Sequence, residues 1–268
     1  MSISRQLNRR VLTVAVALLT GATPLVSGLL VMNYQLNKRL EQSATVAVDE
    51  ALFTFDRLFD GLRAAAVLAL PSTQKACTDI EPKLANQVAG NPRLQALTVL
   101  QGEQHACSSA ASGPLPVFDP SKDIYMFYDP AAIPDGVLVA YRLVSGDRSV
   151  IATTYGLEIR SELRAFRNGL RLALHFGDQY IWAEGDSRDP ARPSMPEYLT
   201  SATSTKYGYR VEVGYPQGFT AAEARQARTQ VLPSLVLVSV LTSAVVMWSL
   251  RRRYISTERE TADHRPTV

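Results

Sequence analysis

The chain has 268 residues, of which 46% are apolar and 20% are charged, with a formal net charge of +3. This composition excludes an intrinsically disordered chain and a collagen-like repeat. Three arginines precede residue 11, and five arginines and three acidic residues follow residue 250. The central segment 33–230 therefore contains 20 of the 28 basic residues and 22 of the 25 acidic residues. The central segment is therefore slightly acidic, which excludes a basic nucleic-acid-binding domain.

Two segments, 11–32 and 231–250, contain no charged residue. At ~1.5 Å per residue, each is long enough as a helix to cross a hydrocarbon core of ~30 Å. The sequence therefore predicts two transmembrane helices. Two alternatives stay open: a cleaved signal peptide for the first segment, and buried core helices for both.

The basic residues near these segments predict their orientation, because Lys and Arg favour the cytoplasmic side of a membrane. Eight lie on the terminal sides and four on the inner sides: Arg5, Arg9, Arg10, Arg251, Arg252, Arg253, Arg259 and Arg265 against Lys38, Arg39, Arg225 and Arg228. We therefore expect residues 1–10 and 251–268 to be cytoplasmic and 33–230 to form one exported domain between helices 11–32 and 231–250.

A long helix is predicted from Tyr34 to Leu70, where Pro71 ends it. Its apolar residues follow a 4-3-4-3 spacing that places them on one face: Val48, Leu52, Phe55, Phe59, Leu62, Ala66 and Ala69. That face is expected to pack on a sheet, and a helix–helix seam between two copies is an alternative that the same helix can also accommodate.

The rest of the central segment alternates short helical and strand patterns. Helices are predicted at 80–89 and 157–167, and the capping box Thr220–Glu223 predicts a last helix that continues into the second span. Strands are predicted at 97–100, 124–128, 137–143, 150–155, 170–176, 180–182 and 207–215. The expected fold class is α+β: a mostly antiparallel sheet flanked by helices, between two transmembrane helices, with a PAS- or Cache-like architecture as an analogy.

The chain has two cysteines, Cys77 and Cys107, both in the segment predicted to be exported. An isolated pair in an oxidising compartment usually forms a disulfide. The bridge would close a loop between cysteines that lie 30 residues apart in sequence. In the chain-entropy model, such a bridge stabilises the folded state by roughly 3–4 kcal/mol. It has two interpretations, a structural staple or a redox switch, and the spacing does not separate them.

The sequence around the second cysteine is distinctive. The run from Arg93 through Leu97–Leu100 to Cys107, Ser108 and Ser109, followed by Gly113, resembles the signature of the CSS-motif domain. That domain is the periplasmic sensor module of a family of bacterial cyclic-di-GMP phosphodiesterases. With the upstream Cys77 and the two predicted spans, the resemblance extends over residues 5–253.

The resemblance implies that Cys77 and Cys107 are a redox pair oxidised by the periplasmic disulfide machinery, with the reduced form favouring phosphodiesterase activity and proteolysis. Ser108 and Ser109 match the motif, but no chemical role follows for them. Family members continue into a cytoplasmic EAL domain that hydrolyses cyclic-di-GMP with Mg²⁺ or Mn²⁺. Only 18 residues follow Leu250 here. We therefore expect no catalytic residue, metal ligand or cofactor in this chain.

Three functional hypotheses follow. The first is a redox-responsive sensor in the inner membrane, which pairs as a homodimer or as a heterodimer with a full-length cyclic-di-GMP phosphodiesterase. The second is the N-terminal part of, or a regulatory subunit for, such an enzyme. The third is a periplasmic ligand receptor whose disulfide is only structural. The bilayer and the disulfide oxidation machinery are expected partners, and nucleic acid is not.

Overall fold

A computed structural model of the chain describes residues 2–102, 104–109, 122–130, 136–166 and 169–263. The helices are α1 (Ser2–Ala69), a 3₁₀ helix (Leu70–Gln74), α2 (Cys77–Ala89), α3 (Gly156–Ala165) and α4 (Phe219–Asp263). The strands are β1 (Ala96–Gln101), β2 (Gln104–Ser108), β3 (Ile124–Tyr128), β4 (Val137–Ser145), β5 (Arg148–Tyr155), β6 (Arg171–Phe176), β7 (Gln179–Trp182), β8 (Glu197–Thr203) and β9 (Arg210–Tyr215). Helix α4 begins at Phe219, one residue before the capping box predicts.

The chain divides into two units, one formed by Met1–Arg39 with Thr220–Val268 and the other by Leu40–Phe219. The first unit pairs the beginning of α1 with α4. Two helical ranges, Val11–Gln74 (α1 with the 3₁₀ helix) and Phe219–Arg252 in α4, each contain a stretch long and apolar enough to cross a membrane. Their large apolar side chains face outward: Leu19 is 72% exposed and Leu237 is 62% exposed. A core helix of a soluble protein would bury such side chains.

The two helices of this unit meet through small residues. A Cβ atom at Gly21 would lie 1.8 Å from Ser243 Oγ and 3.0 Å from the carbonyl oxygen of Ser239, and one at Gly28 would lie 2.6 Å from Leu235 Cδ2. At Gly21 the backbone of α4 itself lies this close, so a small residue is favoured there, as in the packing of transmembrane helices.

The first half of the second unit contains a five-stranded sheet with the order β2-β1-β5-β4-β3 and antiparallel neighbours throughout. Strands β2 and β3 are its edges. Because strand side chains alternate between faces, Val139 and Val150 join the core around α1, whereas Leu138 and Ile151 form a smaller cluster on the opposite face.

The second half of this unit contains a four-stranded antiparallel sheet with the order β7-β6-β9-β8. The prediction of a single sheet is therefore wrong, although the α+β class and the antiparallel pairing are confirmed. The break lies at α3 (Gly156–Ala165), which connects β5 of the first sheet to β6 of the second.

The extramembrane part of α1 supplies the core that the two sheets share. Of the seven positions predicted to lie on one face, six are buried, and Leu52 packs against the same cluster. The ring of Phe59 lies 6.1 Å from that of Phe176 in β6 and 5.1 Å from that of Tyr209, which immediately precedes β9. Tyr141 of the five-stranded sheet lies 5.9 Å from Tyr207, which also contacts Phe59.

Replacing Phe59 with alanine should lower the free energy of unfolding by about 3–5 kcal/mol, because the ring is fully buried between α1 and the four-stranded sheet. Phe53→Ala is the matched control, since it removes the same ring from the same helix at a position that is 69% exposed. It should change the free energy by less than about 0.5 kcal/mol.

The measurement is urea unfolding of the full chain in mild detergent, followed by Trp182 fluorescence in a Trp248→Phe background. Equal effects of the two alanine substitutions would contradict the assignment of the buried face.

Candidate functional site

The two cysteines are joined in a disulfide. Cys77 is the first residue of α2, Cys107 lies in β2, and their Cα atoms are 5.3 Å apart, within the ordinary range for a bridged pair. The predicted pairing is therefore confirmed. The bridge links the N-terminus of α2 to an edge strand of the five-stranded sheet, and we call α2, the bridge, β2 and the 3₁₀ helix that precedes α2 the disulfide joint.

The two halves of the bridge differ in their surroundings. Cys107 is 2% exposed and belongs to the main core, which also holds Val99, its partner across the strands, and the α2 side chains Ile80 and Leu84. Cys77 is partly exposed, and residues 74–76 before it and Thr78 after it are exposed. The bridge therefore passes from the surface into the core.

The two serines of the motif hold β2 against β1. Ser108 Oγ lies 3.0 Å from Thr98 Oγ1. The backbone N–H of Leu97 donates to Ser109 Oγ at 2.9 Å, and Leu97 accepts from the N–H of Ser109, also at 2.9 Å. The three consecutive motif residues thus attach one short strand to α2, to the side chain of Thr98 and to the backbone of β1. Gly113 of the motif lies outside the described residues.

A register shift accompanies these contacts. Thr98 and Val99 pair with Ser108 and Cys107, but Leu100 pairs with His105, so β2 contains one extra residue at this point. Such a bulge changes the face toward which the following side chains point. Here the shift accompanies the placement of Cys107 in the core with Val99.

Further contacts attach α2 and the 3₁₀ helix to the rest of the domain. The Gln87 side-chain amide donates to the carbonyl oxygen of Ala65, near the end of α1, at 2.8 Å. The Arg148 guanidinium of β5 donates to the carbonyl oxygen of Thr73. The joint therefore connects the end of α1 to the sheet through non-covalent contacts and through the one covalent bridge.

A second attachment of α1 involves two aspartates that face the four-stranded sheet. Asp56 Oδ1 accepts from Ser204 Oγ and from the Tyr209 hydroxyl, both at 2.7 Å. Asp60 accepts from the Lys206 ammonium and from the Tyr207 hydroxyl. These bonds fix the middle of α1 to the turn between β8 and β9.

The titration of these groups supports their roles as donors and acceptors. The hydrogen bond from Lys206, followed by that from Tyr207, holds the pKa of Asp60 below its usual value. Burial is the main cause that raises the pKa values of Tyr207 and Tyr209, and each neighbouring carboxylate adds to it. Both phenols therefore stay protonated and keep donating to the aspartates.

The four-stranded sheet also contacts the residues that lead into α4. The Glu197 carboxylate accepts from the N–H of Gly218 at 2.5 Å, and the rings of Tyr215 and Phe219 stack at 4.6 Å. Tyr198, in the bulge of β8, has a φ of 52°, which costs backbone energy for a residue other than glycine. The end of the domain is thus held firmly by β8 and β9.

Buried charge elsewhere in the domain is paired. The Asp186 carboxylate accepts from Arg188 and Arg160, and Arg188 is the main cause that lowers its pKa. Burial lowers the pKa of His175, whose Nε2 lies 3.1 Å from Glu212. These contacts tie α3 and β6 to their neighbours. Within the described parts of the chain, no cluster of His, Cys, Asp and Glu residues has the arrangement of a metal site.

Neither the role of the serines nor the contacts of Asp56 and Asp60 was predicted. The serine contacts depend on the register of β2, a polar strand that the sequence analysis did not predict. The aspartates carry a detectable signal, because they lie four residues apart beside the apolar stripe of a long helix. Acidic residues in that position are candidates for buried hydrogen bonds.

Comparison with known families gives one match within the domain. Residues 40–156 match the family described as the CSS motif domain associated with EAL. The predicted resemblance is therefore confirmed for this segment, which is shorter than the expected 5–253. It contains the extramembrane part of α1, the disulfide joint and the five-stranded sheet.

No curated protein matches the chain. Among solved structures, the chain is similar to the extracellular domain of a histidine kinase, rpHK1S-Z16. The identity is 15% and the TM-score 0.41, and the similarity covers 70% of this chain and 98% of that one.

Replacing Ser109 with alanine should cost about 1–3 kcal/mol of stability, because the buried N–H of Leu97 loses its acceptor. Ser109→Thr keeps the hydroxyl and should cost less than half as much. Urea unfolding of the full chain in detergent measures both. Equal losses from the two substitutions would show that the hydroxyl is not what holds the strand.

Proposed function

We propose that this chain is a two-span inner-membrane sensor whose periplasmic domain responds to redox state through the Cys77–Cys107 disulfide. The observation that carries the proposal is the position of the bridge. It is the covalent link between the segment that follows α1 and an edge strand of the CSS-motif domain, and one of its cysteines is partly exposed.

The membrane part of the proposal is supported by two helical segments with outward-facing apolar side chains on either side of the domain in sequence. The eight-to-four distribution of Lys and Arg supports cytoplasmic termini. We therefore assign 11–32 and 231–250 as the membrane spans and 33–230 as the periplasmic part.

The switch acts through the disulfide joint. In the chain-entropy model the bridge is worth roughly 3–4 kcal/mol. That amount corresponds to two to three orders of magnitude in an equilibrium between a closed and a loosened joint, at about 1.4 kcal/mol per factor of ten. When the bridge is reduced, the N-terminus of α2 is released from β2, while the Gln87–Ala65 contact stays at its other end. The end of α1 is then less tightly held.

Cyclic-di-GMP hydrolysis is the output that we propose, because the family description associates this domain with EAL. The EAL activity would be in the same polypeptide or in a partner that contacts the sensor. A helical partner is supported by exposed apolar side chains on α1 outside the buried face: Val46, Phe53 and Leu68. A second copy or a full-length phosphodiesterase would fit this face, and the periplasmic disulfide machinery would form the bridge.

Reporter fusions test the topology. A reporter that is active only in the periplasm should be active when fused after Gly113 and inactive when fused after Arg253, since the terminal arginines hold both ends in the cytoplasm. A cytoplasm-active reporter at the same two positions is the control and should give the opposite pattern. Activity of the periplasmic reporter after Arg253 alone would refute the proposed orientation.

Limited proteolysis tests the switch. In oxidised protein the segment 70–95 should resist cleavage. After reduction, and in Cys77→Ser, Cys107→Ser and the double variant, it should be cleaved at least about tenfold faster, because cleavage follows the population of the loosened joint.

The three variants should behave alike, since one bridge is either present or absent. The double variant is also the control for the reductant, which should not change its cleavage. Equal cleavage of oxidised and reduced wild type would mean that the bridge is only a structural staple.

A further inference from the structure

We propose that the two sulfurs of the bridge have different chemical roles: Cys77 is the site of attack by external thiols and carries the mixed disulfide, and Cys107 is the leaving sulfur. This inference rests on the proposed redox function and specifies its chemistry. External thiols would then modify Cys77 of the redox pair and not Cys107.

Access to the two sulfurs differs. Cys107 is 2% exposed, on the face of β2 that packs into the core with Ile80 and Leu84 of α2. Cys77 is partly exposed at the start of α2, between exposed residues on both sides. Thiol–disulfide exchange depends on which sulfur an attacking thiolate reaches. A thiol in solution therefore meets Cys77 first.

The direction of attack strengthens this difference. A thiolate approaches the attacked sulfur along the extension of the S–S bond, opposite the sulfur that leaves. Attack on Cys77 Sγ comes from the side away from Cys107, the half of the bridge that is buried in the core. Attack on Cys107 Sγ would have to come from within the core, where no described path leads through the packed side chains around Val99.

The N-terminus of α2 is compatible with the approach of a thiolate to the same site. Ala76, the residue at the helix cap, provides no side-chain hydrogen bond to the first turn. The partial positive charge at the N-terminus of α2 stabilises negative charge close to Cys77, although Asp79 in the first turn opposes part of this effect. The approach of an anionic thiolate is therefore not blocked electrostatically.

The leaving sulfur has a defined fate. As the external thiolate bonds to Cys77 Sγ, the S–S bond breaks and its electron pair passes to Cys107 Sγ. An unpaired thiolate in the core is costly, so Cys107 takes up a proton from water as it leaves. Its sulfur lies 3.6 Å from the carbonyl oxygen of Cys77, which is an acceptor for the new S–H. A second external thiolate then attacks the mixed disulfide and releases Cys77 and the oxidised external disulfide.

The sequence allows a direct test on the full-length wild-type chain. Trypsin cleaves after Lys75 and Lys83 and after Arg93 and Lys122, so the two cysteines fall in separate peptides, 76–83 and 94–122. Oxidised protein in detergent is exposed briefly to reduced glutathione, quenched with acid, alkylated and digested. Mass mapping should place glutathione on Cys77 at least about tenfold more often than on Cys107.

Denatured protein treated in the same way is the control, and its two cysteines should carry similar amounts of glutathione. Equal labelling in the folded protein, or an excess on Cys107, would overturn the proposal. In the single-cysteine variants, Cys77 of Cys107→Ser should also react with an aromatic disulfide at least about tenfold faster than Cys107 of Cys77→Ser.

The glutathione mapping and the limited proteolysis test different claims, and either result can be obtained without the other. If glutathione is found on Cys77 but reduction does not loosen the joint, the assignment of the attacked sulfur stands and the switch function fails. If reduction loosens the joint but glutathione is found on Cys107, the switch stands and this inference fails.

Discussion

The buried face of α1 is the constraint on which the domain depends. Its phenylalanines contact aromatic rings of the four-stranded sheet, and the same core cluster contains β4 and β5 of the five-stranded sheet. Neither sheet can bury its inner face without this helix, because each packs that face toward it. Both sheets therefore pack against one helix, and a change in the contacts that attach α1 to the domain affects both sheets.

Two kinds of attachment hold this helix, and they differ in chemistry. In its middle, Asp56 and Asp60 form hydrogen bonds with the turn between β8 and β9, and the protonation states of the partner tyrosines do not change near neutral pH. At its end, the disulfide joint includes a covalent bond that reductants can break. The first attachment is therefore constant, and the second is the one that a change in the environment can alter.

The sequence predicted the parts of the fold that carry an apolar pattern. The buried face of α1, the strands β1, β3–β7 and β9, and the paired cysteines follow from spacing and composition. Strands β2 and β8 were missed because both are polar edge strands, in which one face is solvated and the apolar alternation is weak. The division into two sheets and the contacts of Ser109 depend on pairing between distant segments, which local patterns do not encode.

The strength of the non-covalent contacts at the disulfide joint determines how often α2 separates from the rest of the domain when the disulfide is reduced. The bond from Gln87 to α1 is worth about 1 kcal/mol. The burial of Ile80 and Leu84 adds roughly 1.5–3 kcal/mol for each side chain. Together these contacts match or exceed the roughly 3–4 kcal/mol constraint of the bridge, so α2 would stay docked on average after reduction but would open far more often. In the proposed switch, breaking the bridge would therefore loosen one end of the shared helix and leave its packing against the four-stranded sheet intact, which is the behaviour that a reversible switch requires.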